Sequence, residues 1–311
     1  MIPANETFNG TFPFAPHFFE GLGFKMHYVD EGEGEPILCL HGQPTWSYIY
    51  RNFIPPLSKT HRVIAPDYMG YGKSETPTDG KYNFQTHVEN LAALIDHLDL
   101  QNITIVCQDW GGPIAGACTI RHPERVKRLC LMNTMFGYGT AVRDIPKPEK
   151  QISKLQDSQW FQWVLKTYND GTYYEIMKHL GNHVLSNMKK LNFTNSAAVT
   201  PDWIRAYSLP FATPEETIAA IEFPLDAALN RIKDYAVAGI KTGNLSKVRA
   251  IPAMLAEGLE DKAMPPAVVM DDFKRLFPNG PIVTLDNVGH FCQEDAPQTL
   301  VALIQQFIQM T

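Results

Sequence analysis

In the first part of the chain, apolar residues gather in short unbroken runs at Pro36–Leu40, Arg62–Ala65, Ile103–Cys107 and Arg128–Met132. Runs of this length without polar alternation read as strands covered on both faces, as in a parallel sheet. Between the second and third runs, Val88, Leu91, Ala92, Ile95 and Leu98 recur at helical spacing on one face, which supplies the crossover that parallel strands need. From about Gly137 to Phe223 the strand rhythm stops, and Trp160, Trp163, Tyr168, Tyr173 and Tyr174 stand in helical surroundings. The rhythm resumes at Pro252–Ala256 and Pro281–Leu285, and Leu300, Leu303, Ile304, Phe307 and Ile308 then form one stripe of a terminal helix. The pattern predicts an α/β fold with a mostly parallel, doubly wound sheet. Its core takes residues 1–136 and 224–311, and a helical cap is inserted over 137–223.

Composition narrows the partners. The 311 residues are 44% hydrophobic and 19% charged, with a formal net charge of -6, so there is no basic footprint for nucleic acid or an anionic membrane. A small neutral substrate fits this balance better. Met1–Gly10 has neither Lys nor Arg nor a continuous apolar run, and no later stretch is long enough to cross a bilayer; a cytoplasmic monomer or homodimer is expected. The five cysteines are scattered singly without CxxC pairs, which argues against a disulfide framework or a zinc site.

Candidate chemistry gathers where strands end, the place where an open α/β sheet leaves its crevice. Ile103–Cys107 runs through Gln108 into Asp109-Trp110-Gly111-Gly112-Pro113, and a helix-compatible stretch follows at once. This is the outline of a nucleophile elbow, with a carboxylate at the centre where serine is usual. Asp109 as a mere helix cap is the plain alternative. Against that stand Asp261 and His290, each following a later strand, because nucleophile, acid, histidine is the chain order of this elbow fold. Glu257 and Glu260 rival Asp261. The loop His41-Gly42-Gln43-Pro44 follows the first run and can aim the Gln43 N–H at the elbow, where with the Trp110 N–H it would form an oxyanion hole. The glycine-rich Asp67–Ser74 lacks phosphate-loop spacing and reads as a tight turn beneath the site.

HGQPTWSYIYR, RVIAPDYMGYGKS, VCQDWGGP, GLEDK and VGHF together resemble the haloalkane dehalogenases of the α/β-hydrolase superfamily, over about Pro36 to Met310. The resemblance implies Asp109 as nucleophile, His290 as base, Asp261 as the acid orienting it, and an oxyanion hole from the backbone of Gln43 and Trp110. It implies an apolar halogenated substrate, water as co-substrate and a halide product, with no cofactor and no metal. Trp110 would hold the departing halide. The aromatic-x-x-Trp pattern Trp160–Trp163 implies Trp163 as the second, lid donor, in competition with Trp160, Trp203 and the Gln43 amide. Trp160, Phe211 and Phe291 are expected to line the pocket, while Pro113 stands where a close pattern has an aromatic residue. Asn133 occupies the place at which another branch carries its acid. An epoxide hydrolase using the same three residues is the nearest rival, with Tyr168, Tyr173, Tyr174 and Tyr207 as possible proton donors. A small-molecule receptor on a hydrolase scaffold is the non-enzymatic alternative.

Overall fold

The computed structural model describes residues 2–137 and 157–311. Eight strands form one sheet: β1 (His17–Phe19), β2 (Met26–Glu31), β3 (Pro36–Leu40), β4 (Arg62–Pro66), β5 (Ile103–Gln108), β6 (Val126–Met132), β7 (Ala253–Gly258) and β8 (Ile282–Leu285). Their order is β1-β2-β4-β3-β5-β6-β7-β8. From β4 onward every neighbour is parallel, whereas β2 runs antiparallel to both β1 and β4. This is the α/β-hydrolase architecture.

The unbroken apolar runs are buried along their whole length in β3 and β5, because helices cover the sheet on both sides. Two strand starts differ from expectation by one residue. Pro252 and Pro281 precede β7 and β8 and lie outside them, since proline has no N–H for the ladder. Their carbonyls still accept, Pro252 O from Leu129 N at 2.9 Å and Pro281 O from Leu255 N at 3.0 Å. β1 and β2 were not foreseen. Within β2, His27 is buried against Asp67 at 2.7 Å and Asp30 pairs with Arg62, so polar side chains disguise a strand that is mostly buried.

The crossover helix Phe84–His97 starts at Asn83, whose side chain accepts from Thr86 N at 2.9 Å, a standard N-cap. It buries Val88, Leu91, Leu94 and Ile95. The last helix, Pro297–Met310, buries Leu300, Val301, Ile304 and Phe307. Between β6 and β7 every described element is helical, and the major ones are Gln159–Asn169, Leu180–Leu191, Pro201–Ser208 and Ile218–Ala228. The boundary expected between Phe223 and Pro224 falls inside the last of these, a helix that carries Pro224 in its interior. The expected beginning of the insertion, from 138 to 156, lies outside the described residues. No described helix is long and apolar enough to cross a membrane.

Candidate active site

β5 delivers Asp109 at the C-terminal edge of the sheet, and the turn there is tight enough to force the residue to φ +50°. Helix Gly111–Thr119 begins immediately after it. A Cβ on Gly111 would stand 2.3 Å from Leu40 O, and one on Gly112 would stand 2.0 Å from Thr134 Oγ1, so only glycine lets strand and helix approach this closely. The left-handed backbone lifts the Asp109 carboxylate out of the sheet. Its Oδ1 accepts the Gln43 backbone N–H at 2.6 Å, and its Oδ2 lies 3.2 Å from His290 Nε2. The Trp110 N–H, expected as partner to Gln43, makes no hydrogen bond to this carboxylate among the described residues.

On its other side, the His290 ring meets Asp261 through Nδ1···Oδ2 at 2.8 Å. Asp261 is in turn fixed by the Ala263 and Met264 N–H groups at 2.7 and 2.9 Å and by Asn133 Nδ2 at 3.0 Å. Asn133 also accepts Gly258 N at 3.0 Å, so it pins the end of β7 to the acid it supports. Of the rival acids, Glu260 is exposed. Glu257 is fully buried with neither carboxylate oxygen hydrogen-bonded, and burial, reinforced by the nearby Asp261 charge, raises its pKa well above the usual carboxylate range. Burial alone would lower the His290 pKa. The flanking Asp261 and Asp109 carboxylates overcome it and raise the value to about 10, so their arrangement favours the protonated imidazole.

His41 plays another part. It is buried, burial lowers its pKa, and its ring accepts from Tyr68 N while Nδ1 meets Gly42 O, which ties two loops beneath Gln43. The Asp67–Ser74 segment is the tight turn expected, with Asp67 accepting from Ser47 N and Lys73 N at 2.7 and 2.9 Å.

A cavity of about 70 Å³ opens directly over Asp109, walled by Trp110, Pro113, Trp160, Leu191, Pro224 and Ile232 among others. Trp110 is held face to face on Phe223, with ring centroids 4.7 Å apart and planes 13° apart. The lid tryptophan on the cavity wall is Trp160. Trp163, expected there, lies behind it: the two rings stack at 5.2 Å, and Trp163 carries Lys190 Nζ 3.9 Å over its other face. The physical reason is the helix, where residues three apart share a face and only one can be innermost. Phe211 and Phe291 are also displaced from their expected places, both buried away from the cavity, Phe211 near Tyr71 and Phe291 beside the His290 ring. Trp203 stacks on Phe193 in the cap at 5.3 Å. The Gln43 side chain donates to Ala220 O at 3.0 Å and accepts from Tyr71 OH.

None of the four rival tyrosines lines the cavity. Tyr173 donates to Ile221 O at 3.0 Å, Tyr207 donates to Glu294 at 2.6 Å, Tyr168 meets Tyr174 at a tilt of 51° with ring centroids 6.5 Å apart, and Tyr174 is exposed. Among the described residues no cluster of His, Cys, Asp or Glu could hold a metal ion. Asn133 was read in the sequence only as a missing acid. Its residue type gave no hint that it would brace Asp261 from the neighbouring strand.

Known proteins show the same organisation. The model of the alpha/beta hydrolase fold family matches residues 35–297. Haloalkane dehalogenase 2 of Mycobacterium tuberculosis is 33% identical over 294 residues, covering 94% of each chain. A cis-3-alkyl-4-alkyloxetan-2-one decarboxylase of Shewanella oneidensis is 28% identical over 303 residues, covering 96% of this chain and 90% of its own. Among solved structures, the tetrameric haloalkane dehalogenase DpaA of Paraglaciecola agarilytica superimposes with a TM-score of 0.74 at 28% identity, over 97% of this chain and 94% of its own. A carboxylate elbow of this geometry, on a sheet of this order and with relatives of this closeness, identifies the chain as a member of the α/β-hydrolase fold family and, within it, of the haloalkane dehalogenases.

Proposed function

We propose that the protein hydrolyses a short haloalkane to an alcohol and halide, with Asp109 as the nucleophile. The observation that carries this reading is the Asp109 carboxylate facing a small apolar cavity with His290 directly behind it. Asp109 displaces halide in line at saturated carbon, forming an alkyl ester and releasing the anion. The halide needs no proton, only N–H donors in a dry pocket, and the indoles of Trp110 and Trp160 lie on its wall. Assigning Trp160 to this task in place of Trp163 follows from where the two rings sit.

Esterification also changes the electrostatics. It converts Asp109 from an anion to a neutral ester and so deletes one of the two charges that hold the His290 proton. Its pKa then falls and its proton passes to solvent; the neutral imidazole, oriented by Asp261, takes a proton from water that attacks the ester carbonyl and gives it to the alkoxide as the ester C–O bond breaks, which releases the alcohol and regenerates Asp109. The Gln43 N–H, already 2.6 Å from Oδ1, stabilises the oxyanion that forms there. The cap supplies one indole to the leaving-group side of this chemistry, and the core supplies the other indole and the rest.

Incubating His290→Phe with a bromoalkane is the direct test: the peptide holding Asp109 should gain one alkyl mass and keep it. An unmodified peptide from the folded variant would sink the ester mechanism. The Shewanella relative raises a second reading, opening of an alkyl-substituted oxetan-2-one, which loses carbon dioxide. Bromide release without carbon dioxide release separates the two. Opening of an epoxide would need a proton donor where the cavity presents indoles and aliphatic groups.

A further inference from the structure

The end of helix Leu180–Leu191 and the residues after it touch the tryptophan stack, the cavity wall and the loops of the base and the acid. Lys190 caps the Trp163–Trp160 stack, and Leu191 forms cavity wall. Leu191 O accepts from Lys262 N at 3.3 Å, beside the acid. Asn192 then turns to φ +74°. Its carbonyl accepts the backbone N–H of His290 at 2.9 Å, and its side-chain Nδ2 donates to Glu260 O at 2.7 Å. One residue of the cap thus bridges the loop of the base and the loop of the acid. The approach is so close that a Cβ on Gly289 would stand 2.2 Å from Asn192 O.

The next two residues reinforce the seam. Thr194 N and Asn195 N both donate to Asp295 Oδ1, at 3.0 and 2.8 Å, while Asp295 Oδ2 accepts Gly289 N at 2.8 Å. Thr194 Oγ1 donates to Asn287 O at 2.9 Å. The core contributes its own link, Glu260 N to Val288 O at 2.9 Å, but that bond lies behind the site on the extension of β7. Among the described residues, only the cap segment hydrogen-bonds both the backbone of His290 and the residue before Asp261.

From this geometry we infer that Asn192 is a positioning residue for the hydrolytic half of the reaction: it holds His290 and Asp261 in register while the cap is seated. The inference rests on His290 and Asp261 acting as base and acid. The two chemical steps make different demands. Alkylation needs the Asp109 carboxylate and leaving-group donors, none of which Asn192 touches. Ester hydrolysis needs the imidazole aimed at a water within a few tenths of an ångström, the kind of alignment in which small displacements are costly.

Rapid-quench kinetics on Asn192→Gly and Asn192→Ala with a bromoalkane tests this. Glycine keeps the left-handed backbone and the carbonyl that accepts the His290 N–H, and removes only the Nδ2 bond to Glu260 O that ties the acid loop to it, so it is the variant expected to fold normally. The prompt bromide burst should keep its parental rate to within about twofold, while ester hydrolysis slows roughly ten- to a hundredfold and alkylated Asp109 peptide accumulates in the steady state. Parental hydrolysis in Asn192→Gly would overturn the inference, as would an equal loss of both steps. If His290→Phe gains no alkyl mass on Asp109, the dehalogenase reading itself fails, which is a distinct result from an unaffected Asn192 variant.

Discussion

The two walls of the cavity are built by different means. On the core side, Asp109, His290, Asp261 and Gln43 sit at strand ends or in loops one to five residues beyond them, and backbone hydrogen bonds fix each position. On the cap side, Trp160, Leu191, Pro224 and Ile232 come from helices and the turns between them, and ring stacks and aliphatic packing fix them. A ladder has one register, and a slip by one residue turns every side chain to the other face. A helix surface is more forgiving, because neighbours three or four residues away occupy nearly the same direction. The core wall is therefore specified sharply by chemistry, and the cap wall is the place where specificity can drift.

The sharpest way to break that contrast is at the elbow. Asp109→Ala removes the only group that can form the ester, and halide release from a bromoalkane panel should fall to background with the fold retained by circular dichroism. Measurable turnover would remove Asp109 from the mechanism. Next come the two indoles, one on each wall. A hydrogen bond to an anion is worth about 1.5 to 3 kcal/mol, so Trp110→Phe and Trp160→Phe should each weaken bromide binding roughly ten- to a hundredfold, read from quenching of tryptophan fluorescence. If Trp160→Phe left the affinity unchanged, the Gln43 amide would be the next donor to test.

Acid–base linkage gives a third prediction. An imidazole that holds its proton more tightly folded than unfolded stabilises the fold fully below its unfolded pKa of about 6.5, and loses that contribution as pH rises toward about 10. Parental Tm should therefore decline across that interval, and His290→Gln should flatten that part of the profile. The same slope in both proteins would place the ionisation elsewhere. The smallest effect belongs to Trp163→Phe. The ring stays stacked between Trp160 and Lys190, so bromide affinity should change by no more than about threefold, because only stacking area and a cation contact of roughly 0.5 to 1 kcal/mol are altered. A loss as large as that of Trp160→Phe would return Trp163 to the leaving-group role.

The same contrast governs what could be read in the sequence. Five of the six strands visible as apolar runs, β3 to β7, are largely buried, β8 is half-exposed and was marked only by its apolar residues, and β1 and β2 were hidden by the polar residues they pair. Asp109 and His290 stood out because strand, small residues and turn must follow in that order. Asp261 could not be separated from Glu257 and Glu260 on spacing. Three-dimensional placement separates them: Glu257 lies within β7, Glu260 faces solvent and Asp261 alone meets the His290 ring. The inner and outer tryptophans of the cap look alike in sequence because the helix that carries them shows both to the same side. Phe211 and Phe291 were apolar residues near chemistry, and apolarity does not say which cavity, if any, a ring will face. Asn192 left no trace at all and Asn133 none of its bracing role, since a lone asparagine bridging two segments has no pattern.

The left-handed backbone of Asp109 has a consequence for the enzyme's durability. A non-glycine residue at φ +50° costs about 1 kcal/mol or more relative to a relaxed turn. The strain is tolerated because the reaction needs it. Asp109→Ala and Asp109→Gly both remove the carboxylate, but only glycine relieves the strain, so the glycine variant should melt at the higher temperature of the two. Selection for heat resistance alone then pulls against activity at this residue, and any hardening of the enzyme for use must come from parts of the sheet and cap that leave the elbow under tension.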